Sequence, residues 1–381
     1  MKQYIKYIVT LFSLSILYGC NPANRKANEK AIIITDIDKQ DEVSIFDLFE
    51  KVEIVPLETT DSSLIRSIRK LVCHNNTCYI LDYNSTILAF DAAGKFKFKI
   101  DNRGQGPNQY TYISDFDIDG ERAVLSFIAP VVAELHEYDL NGQFLSKYKL
   151  PQIAAGYISI KHLSKNVIAF WTFDYYNRLK FYSKEENRIF SECFPEEETF
   201  FDQIHIQTFS HDNYIIRNID NNIYEMSSDG TISVAYTWDF GKLNIDYKPD
   251  VPSFDGRDKE RISNYMKRIS ASEVVNYIFR MSGGNAEYAY SQIMRKDKYI
   301  NIMYHKIKKQ TLLFEQTTEN VGFYPIYWTE DFVIGRIPEN LLPENFDAII
   351  PDAILDPENI ERKHQYNEFD NPILVKYYFK K

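Results

Sequence analysis

Residues 101–110, DNRGQGPNQY, form the stretch of this chain whose residue types and spacing come nearest to a phosphate-binding loop. Gly104 and Gly106 bracket Gln105, and the preceding FKFKI alternates like a β-strand. A phosphate loop needs a following helix, whose first N–H groups point at the anion. Here Pro107 lacks an N–H group, and the following YISDFDID has the alternation of a strand. The stretch is therefore interpreted as a tight crossover between two strands.

Other motifs of catalysis and metal binding are missing from the sequence. The seven histidines are scattered, and none belongs to an HExxH pair of zinc ligands. The GxSxG nucleophile motif of hydrolases does not occur. Asp115, Asp117 and Asp119 resemble the start of a calcium loop, but they alternate with Phe116 and Ile118 as in a strand. The sequence therefore predicts no local metal site and no cofactor.

The composition indicates an acidic, β-rich protein. Aromatic residues make up 15% of the 381 residues, including 28 Tyr and 26 Phe, and these side chains favour strands. The formal net charge is −10 and no basic run occurs, which argues against nucleic acid as a partner. The length fits two or three domains or a single repeat architecture.

Residues 1–19 have the pattern of a secretory signal peptide. Two lysines precede an apolar run that is too short to span a membrane, and Gly19 stands directly before Cys20. The sequence LYGC resembles a bacterial lipobox, which implies cleavage before Cys20 and lipidation of this residue. Residues 20–44 would then be a lipidated N-terminus and polar tether. An ordinary signal peptide followed by a free cysteine is the alternative.

The tether also bears on which face of the outer membrane the protein occupies. Acidic residues directly after the cysteine resemble a surface-export signal in some lipoproteins, and the sequence NPANRKANEK has none at that position. This favours the periplasmic face over the cell surface.

Cys73 and Cys78 flank HNNT, a turn between the strand-like runs KLVC and CYILD. In a hairpin they would lie opposite each other at a distance that suits a disulfide, and an oxidising compartment permits one. Two small buried thiols are the alternative.

A pattern of about 45 residues repeats along the chain. Residues 87–100, ILAFDAAGKFKFKI, and 135–150, LHEYDLNGQFLSKYKL, each contain an alternating strand, a D-x-x-G turn and a second strand. Three further copies begin at residues 179, 223 and 311, the last of them degraded. This period fits one four-stranded blade of a β-propeller.

The two ends of the chain are expected to complete a sixth blade. Residues 331–337, DFVIGRI, supply one strand, and ILVKYYFKK at 373–381 ends the chain. The early strand at 52–56 has no blade of its own, and pairing it with the C-terminal strand would close the ring and remove two exposed edges. The predicted fold is an all-β, six-bladed propeller over residues 45–381 with a composite closing blade.

A helical insertion interrupts the repeats at about 250–284. Ser270 with Glu273 resembles a capping box, and Val274, Val275 and Ile278 recur at helical spacing. The sequence predicts one or two helices between the fourth and fifth blades. Their apolar stripe would pack against the propeller wall or bind a partner.

Several segments together carry a family resemblance: VEIVPLETTDSSLI, ILDYNSTILAFDAAGKF, the RGQGPNQY loop, ISDFDID and FDNPILVKYYFK. Over roughly 45–381 they resemble the bacterial six-bladed β-propeller lipoproteins, and more widely the NHL-like propellers. The family version of the loop resembles GxGPGEY, so Asn108 and Gln109 replace a Gly and a Glu here. The resemblance implies the propeller fold. Because NHL-like propellers mostly bind ligands, it also implies a binding function.

These interpretations predict a lipid-anchored, non-enzymatic envelope protein that binds a glycan, a peptide or a protein partner. Connections between blades line the mouth of a propeller, so Arg103, Gln105, Tyr110 and Asp115 are candidate ligand contacts. One alternative is an enzyme of the lactonase or lyase type with a metal held across blades. Another is a structural scaffold that uses the helical insertion. The aromatic clusters at 170–176 and 323–328 fit packing between blades, or sugar stacking.

Overall fold

Six β-sheets, antiparallel except for one parallel strand in blade 4, form the blades of a propeller. The structure, a computed structural model, describes residues 30–34, 36–153, 156–174, 177–194, 209, 213–217, 220–244, 259–275, 277–278, 283–337 and 346–380. The predicted fold class, a six-bladed propeller with a composite closing blade, is confirmed. The signal peptide and Cys20 lie outside the described residues.

Blades 1 to 3 each use four consecutive strands, ordered from the inner to the outer edge. Blade 1 contains β3 (Ile68–His74), β4 (Thr77–Asp82), β5 (Ile87–Asp91) and β6 (Phe96–Ile100). Blade 2 contains β7 (Phe116–Asp119), β8 (Val124–Ala129), β9 (Glu134–Asp139) and β10 (Phe144–Lys149). Blade 3 contains β11 (Tyr157–His162), β12 (Val167–Thr172), β13 (Leu179–Ser183) and β14 (Arg188–Cys193).

Blades 4 and 5 depart from this plan. Blade 4 contains β15 (Tyr214–Ile216), β16 (Asn222–Met226) and β17 (Ile232–Asp239), and β1 (Ala31–Ile33) pairs in parallel with β17. Phe209 adds a single bridge to Ile215 on the inner side. Blade 5 contains β18 (Tyr277–Ile278) and β19 (Gly283–Gly284), both paired with β20 (Tyr288–Arg295), then β21 (Lys298–His305) and β22 (Gln310–Phe314).

Blade 6 joins the two ends of the chain. Its strands are β23 (Pro325–Trp328), β24 (Phe332–Arg336), β25 (Ile373–Phe379) and β2 (Phe49–Pro56). The antiparallel pairing of β2 with β25 runs from Phe49 opposite Phe379 to Pro56 opposite Ile373. The predicted closure of the ring by the strand at 52–56 is therefore observed.

Four short α-helices and two 3₁₀ turns accompany the sheets in the part of the chain that the structure describes. The helices are α1 (Ile45–Leu48), α2 (Lys259–Ser270), α3 (Phe346–Ile349) and α4 (Pro357–His364), and the turns are Gly241–Leu243 and Asp352–Ile354. In α4, Asp356 is the N-cap and Pro357 is the first helical residue, a combination typical of helix starts. Among the described residues, none of these helices has the length and apolar character that a membrane span requires.

Six apolar clusters hold the ring together, one at each contact between neighbouring blades. In the contact between blades 5 and 6, Tyr290 and Tyr377 are both fully buried together with Phe49. The cluster between blades 2 and 3 has the fewest members, and Ile160 and Phe170 are among them. Apolar burial therefore stabilises every interface, but least at the contact of blades 2 and 3.

The repeated D-x-x-G turns also form contacts between blades. Gly94 has a φ of +83° and Gly142 a φ of +84°, and both face the outer strand of the preceding blade. A Cβ on Gly94 would lie 2.1 Å from the carbonyl oxygen of Pro56, and one on Gly142 would lie 2.5 Å from the Phe98 ring. These glycines supply both the positive φ and the close approach that the ring requires.

Of residues 20–44, which the sequence predicts to be a lipidated N-terminus and tether, the structure describes 30–34 and 36–44, and this N-terminal arm lies along blades 4 and 5. Ile32 and Ile34 are buried against blade 4. Further along, Asp38 pairs with Arg295 of blade 5 at 2.5 Å, and the Asp41 N–H donates to Leu313. The alternation of buried and exposed residues at 31–34 is a strand signal, but a run this short is easily overlooked.

Cys73 and Cys78 are joined by a disulfide. They lie directly opposite each other on β3 and β4, with a Cα–Cα distance of 4.1 Å. Asn75 and Asn76, which both have positive φ, form the turn between them. The remaining described cysteine, Cys193, is buried.

Two predictions about the second half of the chain are wrong in detail. The fifth copy of the repeat at 311–324 is not a hairpin, because only Gln310–Phe314 is a strand and residues 315–324 lead into blade 6. The corresponding hairpin turn is at 306–309, where Lys309 rather than glycine takes the positive φ. The repeat was misaligned because this turn lacks the D-x-x-G signal.

The predicted helix that starts at Ser270 is also wrong. Ser270 is the last residue of α2, and its hydroxyl donates to Asp297 at 2.6 Å instead of capping a new helix. Val275 is buried, and its N–H donates to Leu243. Strand β18, which pairs with β20, then begins at Tyr277. Tertiary pairing therefore overrides the helical spacing of these apolar residues.

We expect Gly94→Ala to reduce the free energy of unfolding by at least about 2 kcal/mol. Alanine is strained at this positive φ, and its Cβ would also clash with the Pro56 carbonyl oxygen. Gly156→Ala is the matched control: its φ is +86°, but no atom lies within 4 Å of the new Cβ. Guanidinium chloride unfolding of both variants separates the two effects. Equal losses in the two variants would contradict the assigned contact between blades.

Candidate functional site

The glycine loop at 101–110 closes on its own side chain. The N–H of Gly106 donates to Oε1 of Gln109 at 2.7 Å, and a Cβ on Gly104 would lie 2.1 Å from the same oxygen. The N–H of Gly104 donates to the carbonyl of Tyr110 at 2.9 Å. The amide of Gln109 therefore occupies the position where a phosphate loop would hold its anion, and the loop is a crossover between β6 and β7.

The candidate ligand contacts within the loop differ in how exposed their side chains are. Arg103 and Gln105 are exposed, and Nε of Arg103 pairs with Asp101 at 2.6 Å. Tyr110 is only 1% exposed: it packs edge-on against Phe127, and its hydroxyl donates to Ile100 at 3.1 Å. Tyr110 is therefore a core residue, because burial of its ring and satisfaction of its hydroxyl both favour the interior.

Asp115 is also buried rather than exposed to a ligand. The amine of Lys70 lies 2.9 and 3.0 Å from its two carboxylate oxygens, and the N–H of Ile160 donates to it at 2.9 Å. Asp115 therefore links blade 1 to blade 3 across the start of blade 2. A buried carboxylate with these partners has a structural role.

Asp115 belongs to a charged seam between blades 2 and 3. The carboxylates of the seam are Asp115, Asp117, Asp119 and Glu137, and its cations are Lys70, Arg122, Lys161 and Lys184. The alternation of the three aspartates, which resembled a calcium loop in the sequence, places them on one side of blade 2. The seam accompanies the smallest of the six apolar clusters.

Ion pairs and hydrogen bonds lower the pKa of three seam carboxylates, Asp117, Asp119 and Glu137, whereas burial raises the pKa of Asp115. Burial would raise the pKa of Glu137, but hydrogen bonds from Lys184 and Arg122 lower it below its ordinary value. Burial also opposes ionisation of Asp117, whereas the nearby Lys161 lowers its pKa. The N–H of His162 donates to Asp117 at 2.7 Å. The described residues contain no cluster of three His, Cys, Asp or Glu side chains that could hold a metal ion.

His162 is the exception within the seam. Both of its ring nitrogens are buried without a hydrogen-bond partner, although Asp117 and Asp119 lie nearby. Burial lowers the pKa of His162 to about 4, and Arg122 and Lys184 act in the same direction against the two carboxylates. The imidazole is therefore neutral at pH 7, and acid must charge a buried ring.

Arginine side chains from the second strand of blade 6 and from the inner strand of blade 1 each reach the next blade. Arg336 of blade 6 donates to the carbonyl of Ile68 at 3.0 Å. Arg69 of blade 1 donates to the carbonyls of Ile113 and Ser114 at 3.0 and 2.7 Å. Both arginines lie where the chain crosses between blades, a side of the ring that we call the crossover face. Strand directions alternate, so this face also carries every loop between second and third strands of a blade.

Two exposed tyrosines lie over Arg69 on the crossover face. Tyr83 is 57% exposed in the turn after β4, and Tyr112 is 40% exposed in the connection to β7. Their ring centres lie 5.9 and 5.2 Å from the Arg69 guanidinium carbon. Because Arg69 is held by two backbone carbonyls, it fixes both rings while one side of each remains open to solvent.

These tyrosines belong to a larger exposed apolar surface. Fourteen large hydrophobic side chains are exposed among the described residues, and seven of them lie in crossover-face loops of the adjacent blades 6, 1, 2 and 3. We call these seven the crossover rim: Leu64, Tyr83, Tyr112, Val131, Val132, Phe173 and Phe369. On the opposite face, the described residues expose Ile307 in a loop and Phe46 in α1, directly before the outer strand of blade 6. Apolar exposure is therefore concentrated on one face.

The sequence did not identify the rim. Trp171 and Trp328, in the two aromatic clusters noted there, are buried between blades, whereas Phe173 from the first cluster reaches the rim. Tyr83 and Tyr112 stand in turn sequences that look alike whether the ring is packed or exposed. The available signal was a bulky aromatic directly after the strand CYILD, at a position where turns are otherwise polar.

A family described as "Domain of unknown function (DUF4934)" matches residues 30–378. The fold is similar to that of a protein of Bacteroides fragilis NCTC 9343 whose name describes it as exported: the TM-score is 0.69 at 19% identity, covering 92% of this chain and 100% of the other. It is also similar to a member of the DUF4221 family from Bacteroides vulgatus ATCC 8482, with a TM-score of 0.52 at 13% identity, covering 90% and 99%. A comparison with curated proteins gives no match.

The seam makes stability depend on pH. The unfolded chain binds a proton on His162 near pH 6.5, whereas the folded protein does so only near pH 4, so stability falls as the pH drops through this interval. We expect His162→Phe to remove up to about 3 kcal/mol of this loss. Urea unfolding at pH 7, 5.5 and 4 measures it, with His364→Phe at an exposed position as the control. An unchanged pH dependence in His162→Phe would contradict the assignment.

Proposed function

We propose that this chain, which belongs to the DUF4934 family, is a binding protein whose crossover rim holds a polypeptide partner. The observation that supports the proposal is the asymmetry of exposed apolar side chains between the two faces of the ring. Contiguous apolar patches are uncommon on monomeric proteins and mark interaction sites. The predicted contacts Arg103 and Gln105 lie in the same connection as Tyr112 and would border the partner.

The chemistry of the rim favours a polypeptide over a glycan. Sugars stack on aromatic rings, and Tyr83 and Tyr112 suit both kinds of ligand. Leu64, Val131 and Val132 offer no ring to a sugar, but they bury apolar area against another protein chain. Aromatic residues beside an arginine are also typical of the energetic centre of protein interfaces.

The rim segments are held in place by the fold. The N–H of Ile65 donates to the side chain of Asn371 at 2.7 Å, which connects the segment of Leu64 with that of Phe369. The N–H of Leu150 donates to Ala133 at 2.9 Å, next to Val132. A surface organised before binding loses less conformational entropy when a partner is bound.

We further propose that Cys20 anchors the protein to the outer membrane on its periplasmic side. The signal-like residues 1–19, the sequence LYGC and the name of the Bacteroides fragilis relative support export. The first described strand, β1, begins at Ala31, so the chain between the anchor and the propeller is short. Several acyl chains on one cysteine would hold the protein stably on a membrane.

The binding proposal is tested with a random dodecapeptide library displayed on phage and selected on the full chain. For the selected peptides, we expect Tyr83→Ala and Tyr112→Ala each to weaken binding at least about tenfold, as hot-spot aromatics do. Ile307→Ala, on the opposite face, is the matched control and should leave affinity unchanged. Affinities measured by fluorescence anisotropy that do not respond to either tyrosine variant would refute the rim as the binding surface.

The anchor is tested separately in the producing bacterium. Wild-type protein should incorporate labelled palmitate and sediment with membranes, whereas Cys20→Ala should incorporate none and appear in the soluble fraction. Cys193→Ala, which changes a buried cysteine, is the control and should remain in the membrane fraction. Membrane association of Cys20→Ala without label would disprove the lipid anchor.

A further inference from the structure

The outer strand of blade 2, β10, leaves an unusual amount of side chain exposed. Five of its six residues, Phe144–Lys149, are exposed. Phe144, Leu145 and Tyr148 are 37%, 51% and 37% exposed and are three of the large hydrophobic residues outside the crossover rim. The outer strands of the other blades bury more of their residues. The outward side of β10 thus combines apolar exposure with a free strand edge.

The register shows which backbone groups face outward. The N–H of Leu150 donates to Ala133 of the inner neighbour, and Tyr148 lies opposite Leu135 in the same ladder. Backbone groups alternate in an antiparallel strand, so those of Tyr148 also point inward, and those of Lys147 and Lys149 point away from the sheet. An edge of this kind can pair with a further strand.

The same molecule already shows one such addition. On blade 4, β1 pairs in parallel with the outer strand β17 over three residue pairs, Ala31 with Thr237 to Ile33 with Asp239. The added segment buries Ile32 and Ile34 on the blade. An outer edge of this propeller therefore accommodates an added strand from a distant part of the chain.

The open edge is continuous with the crossover rim. The amine of Lys149, the last residue of β10, donates to the carbonyl of Val132 in the rim. A partner seated on Val131 and Val132 is therefore at the end of β10, and a segment extended from there runs along the strand.

Side chains beside the edge indicate the chemistry of the added strand. Lys147 and Lys149 lie on one side of β10 and share the carboxylate of Glu134, at 3.2 and 4.0 Å, so this side has excess positive charge. Tyr148 lies on the other side. A strand with acidic residues on one side and apolar residues on the other complements this arrangement.

We propose that β10 accepts an acidic, extended polypeptide segment of the partner as a fifth strand of blade 2. The inference rests on the proposed function and names the chemistry of its ligand. Edge lysines also discourage pairing between copies of this chain, because two basic edges repel each other. An acidic segment turns the same lysines into attractive contacts and so gains selectivity.

The test uses two synthetic nonapeptides, one with Glu alternating with Val and one with Lys alternating with Val. Amide hydrogen exchange of the full chain is measured with each peptide at millimolar concentration. We expect the Glu–Val peptide to slow exchange at Lys147 and Lys149 at least about tenfold and to leave Tyr148, already paired within the sheet, unchanged. The Lys–Val peptide should slow none of them. Equal effects of both peptides, or protection at neither lysine, would overturn the proposal.

A pair of variants isolates the backbone contribution. Lys147→Pro removes an N–H that points away from the sheet and leaves the ladder to β9 intact, as edge strands allow. Lys147→Ala removes the same side chain but keeps the N–H. We expect Lys147→Pro to bind the Glu–Val peptide at least about tenfold more weakly than Lys147→Ala, with similar melting temperatures. Equal affinities of the two variants would contradict strand addition.

The same variants separate this inference from the proposed function. If the phage-selected dodecapeptides lose affinity for Tyr83→Ala but bind Lys147→Pro as they bind the wild type, the rim is the binding surface and strand addition is wrong. If they lose affinity for Lys147→Pro but not for the tyrosine variants, the edge binds and the rim does not. If they respond to both, the rim and edge act as one continuous surface.

Discussion

Seven residue pairs between β2 and β25 join a strand near the start of the chain to one at its end, and the rest of the ring depends on this pairing. A blade buries its two sides only against neighbours, so an open ring would expose the apolar sides of two blades at once. Closure uses aromatic contacts as well as the ladder: Phe49 packs against Tyr377 and Phe379, with ring centres 5.3 and 5.2 Å apart. The N-terminal arm reinforces this closure from outside, through Asp38 and Arg295 of blade 5.

The contact between blades 2 and 3 differs from the other five in its proportion of apolar packing to ion pairs. Its apolar cluster is the smallest among the described residues, and ion pairs that cross between the two blades, such as Lys184 with Glu137, occupy the remaining area. The attraction within a buried ion pair offsets the cost of desolvating both charges only when the two groups are in close contact. An arrangement that separates the partners leaves buried charges unpaired and is strongly destabilised. The seam therefore contributes more to the specificity of this contact than to its strength. It also contains His162, whose buried ring must become charged as the pH falls.

The sequence predicted the fold well and the surface poorly, for physical reasons. The D-x-x-G turns repeat because positive φ and close contact at Gly94 and Gly142 recur in successive blades, so the architecture leaves a local signature. The exposure of Tyr83 leaves no such local signature in the sequence, because it depends on how distant loops are arranged around Arg69. Tyr110 is the opposite case: the sequence predicted that it contacts a ligand, but its ring is buried in the core against Phe127. Short elements such as Ala31–Ile33 were missed because three residues carry too little periodicity.

The parallel strand β1 and the closing strand β2 share one further property, the long separation in sequence from their partners. Phe49 precedes its partner Phe379 by 330 residues, so β2 is synthesised long before the strand with which it pairs. Until β25 is synthesised, Ile54 and its neighbours on β2 are apolar surface without their partner strand. Truncation near the C-terminus would therefore leave an unclosed, aggregation-prone fragment.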